Sequence, residues 1–242
     1  MPLFSQTITD HWEALFSNGD VLYRDEVFTV VINPDLSEDR RLMILETYDR
    51  RVMVVLTPAL ADKLALSQQQ NLSESVFRRK LKEAGVILHG LEYLYYFTES
   101  NKNLLLKEKL EGSLRQLTEQ DDAVFSAFQS SASKQDLDEA YVELDHWAVF
   151  GSFEQNRLVS AASVYPWGNA HIADIGILTL LPFRGKGHAR KVVRSISKYV
   201  YEQGYEPQYR CSQSNHASAA LAKASGLTIF GKWEVISPDS TD

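Results

Sequence analysis

The chain holds a single cysteine, Cys211, among its 242 residues. One thiol closes no intramolecular disulfide and builds no multi-cysteine metal cluster. Long apolar runs are missing too: none approaches the ~20 residues that cross a bilayer. Met1 to Trp12 carries Asp10 and no cationic stretch, so no signal peptide is expected there. Positive charge is in deficit, with 25 Lys and Arg against 32 Asp and Glu, a net −7. Such a chain has no overall field to gather phosphate polyanions, which disfavours a dedicated nucleic-acid binder. There is no internal repeat, no low-complexity tract and no histidine pair at metal-ligand spacing, so no metal is expected. The default expectation is a soluble, cytoplasmic protein with no membrane partner.

What is present is an ordinary globular balance, 44% hydrophobic and 24% charged. That much apolar surface offsets the entropy of ordering the chain, so disorder is excluded, as is a collagen or coiled-coil rod. The length is comfortable for two domains of ~100–200 residues each. In the first part, Val21 to Asn33, Arg41 to Glu46 and Arg51 to Leu56 read as strands. Thr57-Pro58 then opens a helix over about Ala59 to Leu66. A second helix starts near Ser73 and stops at Gly85. Val86 to Phe97 is strand-like and aromatic; its Tyr93, Tyr95, Tyr96 and Phe97 read as a buried strand. Ser67 to Asn71 and Ser130 to Asp136 read as loops. This is an α+β unit without a constellation that points to chemistry.

A boundary falls near Gly112, giving parts 1–112 and 113–242. It rests on pattern alone, because the two parts carry similar charge: 13 basic against 17 acidic residues, then 12 against 15. Ser113 to Leu117 reads as a strand running into a helix start at Thr118, with Asp121 at capping-box spacing and Val124, Phe125 and Phe128 turned inward. Trp147 to Phe153 and Arg157 to Tyr165 form a hairpin across a polar turn. Ala170 to Leu181 is a long buried strand. A helix with Ala189, Val192, Val193, Ile196, Tyr199 and Val200 on one face runs to Gly204. Pro207 to Cys211 is a strand, Asn215 to Ser225 a helix, and Leu227 to Phe230 with Lys232 to Ile236 a final strand pair.

Between the long strand and its helix lies Arg184-Gly185-Lys186-Gly187-His188-Ala189. A glycine turn there aims several backbone N–H groups at one spot beside the positive end of a helix, a geometry that binds phosphate or pyrophosphate. A side chain at Gly185 or Gly187 would block close approach of the anion. Arg184 and Lys186 add local positive charge. Neither GxGxxG nor a GxxxxGK[ST] loop occurs. A plain structural connection between strand and helix remains the simplest alternative reading of the turn.

The segment resembles the R/Q-x-x-G-x-G/A signature of the GNAT N-acetyltransferase family. Its setting is similar as well: Leu-Thr-Leu-Leu-Pro before it, an amphipathic helix after it, then Asn215, Ser218, Leu221, Lys223 and Gly226-Leu227, which look like the family's second motif. Arg115 to Thr118 is similar to its opening strand and helix start. The resemblance covers about residues 113–242 and leaves 1–112 unmatched. It implies an α+β fold, a mixed and mostly antiparallel sheet flanked by helices; apart from the resemblance, and with no residue that gives it a role, the unmatched 1–112 is expected as an added α+β part that covers the acceptor side. The resemblance also implies acetyl-CoA or another acyl-CoA in a notch between splayed strands. The pyrophosphate would rest on Arg184, Gly185, Lys186, Gly187, His188 and Ala189. The pantetheine arm would pair with Leu178, Thr179 and Leu180, and Asn215 and Ser218 would close the other side.

The implied reaction is attack of a primary amine on the thioester. An amine of pKa ~10 must first lose a proton. Asp174, mid-strand before the glycine turn, is the leading base by its similarity in place to a glutamate of histone-acetylating members. Glu143 and His146, in a polar cluster with Asp145, are the other candidates. The family's usual tyrosine, which protonates the leaving thiolate, is replaced by Ala222. A thiol of pKa ~8.5 leaves near neutral pH with little help, so the change does not forbid the reaction. It does keep open a second reading, a non-catalytic acyl-CoA sensor or interaction module. The acceptor stays open between a small-molecule amine and a protein lysine or N-terminus.

Overall fold

The structure is a computed structural model that describes residues 2–69, 71–109, 114–168 and 170–240. The expected boundary at Gly112 and the strand start at Ser113 lie outside the described residues. In chain order the elements are α1 (Gln6–Ser17), β1 (Asp20–Arg24), β2 (Phe28–Ile32), β3 (Leu42–Thr47), β4 (Val52–Leu56), α2 (Pro58–Lys63), α3 (Glu74–Glu83), β5 (Glu92–Phe97) and α4 (Glu99–Leu106). There follow β6 (Leu114–Leu117), α5 (Asp122–Gln129), α6 (Lys134–Ala140), β7 (Ala148–Glu154), β8 (Arg157–Pro166), β9 (Ile172–Thr179), α7 (His188–Glu202), β10 (Glu206–Ser212), α8 (His216–Ala224) and β11 (Leu227–Val235). Chain contacts divide these into two compact units.

One unit comprises Thr9–Leu94, Cys211–Ser214 and Ile229–Asp242. Its strands run in the order β1-β2-β4-β3-β11, with β2 and β4 parallel and the other pairs antiparallel. Val30, Leu42, Ile44, Val54 and Leu56 pack with Phe77 and Leu81 of α3 in its core. The run Val21 to Asn33, read as one strand, is a hairpin. The Asp25 carboxylate accepts the N–H groups of Val27 and Phe28 at 2.8 and 2.7 Å, which turns the chain back on itself. The final strand pair is instead one strand, β11, unbroken at Gly231. A Cβ at Gly231 would lie 2.9 Å from the Glu46 carbonyl oxygen, so glycine marks close backbone approach here rather than a break.

The other unit comprises Met1–Ile8, Tyr95–Arg210 and Asn215–Thr228. Its strand order is β5-β10-β9-β8-β7-β6. β9 and β10 are parallel, while β9–β8, β8–β7 and β7–β6 are antiparallel. This is the mixed, mostly antiparallel sheet that was expected. The β7–β8 turn places Gln155 and Asn156 at φ 50° and 63°, as a two-residue hairpin turn requires. Strand alternation decides what each face meets. Ala161 and Leu178 join Phe125 and Phe128 of α5 in one core cluster. Phe150, paired with Ala162, meets the Tyr199 ring of α7 on the opposite face. Val192, Val193, Ile196 and Val200 of α7 are all buried there.

Thr118 and Asp121 do form a capping box, through a short 3-10 turn that leads into α5. Phe125 and Phe128 turn inward, but Val124 is exposed, because it sits one position round the helix from that face. Two short helices escaped the reading. α4 is capped by Thr98, and α6 lies partly in the expected loop Ser130 to Asp136, where the Ser133 hydroxyl accepts the Asp136 N–H. α1 escaped as well, although Ile8, Trp12 and Phe16 form a buried stripe at helical spacing. Tyr95, Tyr96 and Phe97 are buried, as expected of that strand.

Candidate functional site

β9 and β10 pair through three rungs, Glu206 with Ile172, Pro207 with Ala173 and Gln208 with Asp174. There the ladder ends, although β9 continues to Thr179 and β10 to Ser212. The strands part into a notch with Asp174 and Gln208 at its apex. On its other edge β9 stays paired with β8 as far as Thr179. The Leu180 N–H bonds the Val159 carbonyl, so the hydrogen-bonded rungs of that antiparallel ladder fall on even positions of β9. Leu178 and Leu180 therefore turn their backbone groups to β8, and the Ser160 hydroxyl also donates to the Leu178 carbonyl. Ile177 and Thr179 turn theirs into the notch. Of the three residues expected to pair with a pantetheine arm, Thr179 alone presents its backbone there; Ile177 was not marked, because ladder parity is invisible before the strands are paired.

Below the notch the chain makes the glycine turn. Gly185 and Gly187 have φ of +77° and +86°, and a Cβ at either would meet nothing within 4 Å. Gly187 is the N-cap of α7. The N–H groups of Gly187, His188, Ala189 and Arg190 thus have no intrahelical acceptor and face open space beside the helix's positive end. This cradle fits a pyrophosphate. Its cations are tied down by carboxylates from distant segments. Arg184 donates from Nη2 to Asp136 at 2.6 Å and from Nε to the Thr179 carbonyl at 3.1 Å. Lys186 lies 3.5 Å from Glu154. His188 is bound on both ring nitrogens, Nδ1 to Ser152 at 2.9 Å and Nε2 to Glu154 at 3.0 Å. The hydrogen bond from His188 and the nearby Lys186 hold the Glu154 carboxyl below the usual range.

Across the notch stands the start of α8. Asn215 caps it, its side-chain oxygen accepting the Ser218 N–H at 3.0 Å. The Ser218 hydroxyl is 2.7 Å from that of Tyr209. Ala222, one turn further, is fully buried.

On the α5–α6 face the apex is polar. Asp174, 4% exposed, accepts from four donors. Arg210 reaches it with Nε at 3.1 Å and Nη2 at 2.8 Å, Gln208 with its amide at 3.0 Å, and Tyr165 with its hydroxyl at 3.1 Å. Arg210 also stacks over the Trp167 ring at 4.3 Å. Burial and the Asp174 charge push the Tyr165 phenol up to about 12. The Tyr165 ring is 5.0 Å from His146, and both contact Tyr141. His146 Nδ1 is 2.8 Å from the Ser163 hydroxyl. Burial pushes the His146 imidazole down, against the pull of Asp145 and Glu143. Glu143 itself accepts from the Gln129 amide at 3.1 Å. The structure thus joins Asp174 and His146 through Tyr165 and leaves Glu143 held by α5. Tyr165, Gln208 and Arg210 were not marked, because their meeting depends on strand register. Among the described residues, no three His, Cys, Asp or Glu side chains gather to hold a metal ion, and no helix is long and apolar enough to cross a membrane.

α6 and Tyr141 reach this face by passing over Gly176. A Cβ there would sit 2.4 Å from the Ala140 carbonyl oxygen and 2.8 Å from that of Tyr141. Gly176→Ala is expected to lift the Tyr141 turn off β9 and cost about 1–3 kcal/mol, read as a lowered urea midpoint; an unchanged midpoint would show that the turn yields freely.

A splayed parallel strand pair, a glycine turn and an open helix N-terminus thus lie in sequence along one unit of the fold. A family model for GNAT acetyltransferase matches residues 61–236. The chain belongs to that family. Among solved structures it is similar to an acetyltransferase of the GNAT family from Colwellia psychrerythraea, with 18% identity, 76% of this chain and 75% of that one covered, and a TM-score of 0.53. It is also similar to a GNAT-family protein from Novosphingobium aromaticivorans DSM 12444, at 15% identity and a TM-score of 0.46, covering 62% of this chain and 64% of that one, so it spans just under two thirds of that relative's length. A conserved protein of unknown function from Staphylococcus epidermidis ATCC 12228 is aligned over 93% of this chain and 96% of its own, at 13% identity and a TM-score of 0.46. A search of curated proteins found no match.

Proposed function

We propose that this protein is an N-acetyltransferase that moves the acetyl group of acetyl-CoA to a primary amine. One observation carries the reading: the β9–β10 ladder stops at Asp174 and Gln208, and beyond the end of β9 the chain turns through an open glycine cradle into α7. The donor would supply the activated thioester carbonyl. The N–H groups of Gly187 to Arg190 would hold its pyrophosphate. Ile177 and Thr179 would pair with the pantetheine arm as an added strand does. For Thr179 this means releasing its carbonyl from Arg184. Asn215 and Ser218 would wall the far side. The amine would arrive on the α5–α6 face, where Tyr141, His146 and Tyr165 lie. In this reading Asp174 is a positioning residue. Its oxygens are already engaged by Arg210, Gln208 and Tyr165, which leaves it poorly placed to take a proton from a substrate.

Calorimetric titration of the full chain with acetyl-CoA, followed by free-thiol release over a panel of small primary amines and lysine peptides, tests this. Micromolar binding with amine-dependent thiol release is the expected result. Binding with no turnover across the panel would favour the sensor reading, to which the buried Ala222 points. No binding of acetyl-CoA would overturn the acetyl donor.

A further inference from the structure

We propose that His146, held by Ser163, is the general base that takes the proton from the acceptor amine. This deepens the acetyltransferase reading and rests on it. The argument begins with place. Ser163 pairs with Gly176 across β8 and β9, two residues along β9 from the notch apex. Side chains of Ser163, Tyr165 and Asp174 share the α5–α6 face by strand alternation. His146 stands on Ser163, beside the stretch of β9 that borders the open notch. Of the three candidate bases, His146 is the one that combines an unbonded ring nitrogen with contacts to both Ser163 and Tyr165 on this face. Asp174 is saturated by four donors, and Glu143 is bound by Gln129. His146 is half-buried and uses Nδ1; among the described residues no atom bonds its Nε2.

The proposal requires the Nδ1–H tautomer. The Ser163 hydroxyl lies 2.8 Å from His146 Nδ1 and 3.5 Å from the Tyr141 carbonyl oxygen, so it can accept the Nδ1–H while donating toward Tyr141. The lone pair is then on Nε2, which is where a base needs it. Tyr141 and Tyr165 flank the ring at 4.9 and 5.0 Å and fix its plane. The groups facing the ring are Glu143 and Asp145 from its own loop, the Tyr165 phenol from β8, and behind it the Asp174–Arg210 pair. Burial outweighs the two loop carboxylates and pushes the imidazole below its ordinary value, which favours the neutral form. Their residual negative charge, with the two tyrosine rings, suits an approaching ammonium.

The step balances as follows. One proton passes from the ammonium nitrogen to Nε2 of His146. The freed lone pair attacks the thioester carbonyl carbon, so a C–N bond forms and the C–S bond breaks with its electron pair on sulfur. A second nitrogen proton ends on that sulfur, and the amide keeps the third. His146 returns its proton to water.

His146→Gln keeps a donor toward Ser163 and removes the base. With the panel amine that the wild-type protein acetylates best, kcat is expected to fall about 10²-fold or more, with acetyl-CoA affinity and melting temperature unchanged and partial rescue by added imidazole. The wild-type rate should decline only on the acid side of the ordinary histidine range; that limb should vanish in His146→Gln and persist in Asp174→Asn. Histidine-labelled protein should show the Nδ1–H tautomer of His146 by 15N NMR. Wild-type turnover with an unimpaired His146→Gln variant, an acid limb lost in Asp174→Asn instead, or an Nε2–H tautomer would overturn the assignment alone. A wild-type protein that binds no acetyl-CoA, or binds it and acetylates nothing, would overturn the transferase reading as well.

Discussion

Replacing Gly187 by valine should cut acetyl-CoA affinity by 10²-fold or more while leaving the protein folded. The position has φ +86° and caps α7, and no atom lies within 4 Å of where a Cβ would stand. The added side chain would therefore meet no wall. It would instead fill the open space in front of the cradle N–H groups, where an anion must come. Loss of two charge-assisted hydrogen bonds at ~1.5–3 kcal/mol each corresponds to about 10²- to 10⁴-fold. A β-branched residue in the left-handed region also costs about 1–3 kcal/mol of strain. At 2–4 °C per kcal/mol for a chain of this size, the melting temperature should drop roughly 2–12 °C. Gly204→Val is the control. Gly204 has φ +82° with the same open surroundings, but lies just beyond the C-terminal end of α7. It should show similar strain and normal binding by calorimetry. If both variants bind normally, the anion cradle is elsewhere.

Asp174→Ala should be the most destabilising single change at the apex. It strips Arg210, Gln208 and Tyr165 of a shared acceptor in a site where the aspartate side chain is 6% exposed. Breaking a buried pair from one side costs about 3–5 kcal/mol, because the other charge is left uncompensated. Arg210 keeps partial solvent access and its stack on Trp167, which places the expected loss near the lower end, about 3 kcal/mol. Chemical denaturation would measure it. The same variant removes one of the charges that raise Tyr165. Its phenol should ionise below about 12, though burial still holds it above a free tyrosine, and ultraviolet titration would detect the change. A stability loss under ~1 kcal/mol would mean that the Arg210 guanidinium finds another partner or water readily.

How much of this was legible depends on the range of the forces involved. The glycine turn, the amphipathic helix after it and the helix start near Asn215 are set by neighbours within one or two turns of chain, and all three stand where the residues placed them. The Thr118–Asp121 capping box is local in the same way. Local patterns failed where a side chain or a partner strand changed the outcome. Asp25 folded one expected strand into a hairpin, and close packing against Glu46 carried β11 through Gly231. The site's polar apex was the least legible part. Asp174 meets Arg210 from 36 residues away, and Arg184 meets Asp136 from 48.

The sequence by itself determined the glycine turn and the amphipathic helix behind it, because backbone freedom at glycine and hydrophobic periodicity act along the chain; the mixed sheet followed only from the resemblance of its motifs to the GNAT family. Tertiary structure alone decided that Ile177 and Thr179 face the notch, that Asp174 is engaged by Arg210, Gln208 and Tyr165, and that Nε2 of His146 stays open. Each of those depends on which strands pair, in what register and where the pairing stops. Those are choices made by packing between segments distant in sequence, and no local spacing encodes them.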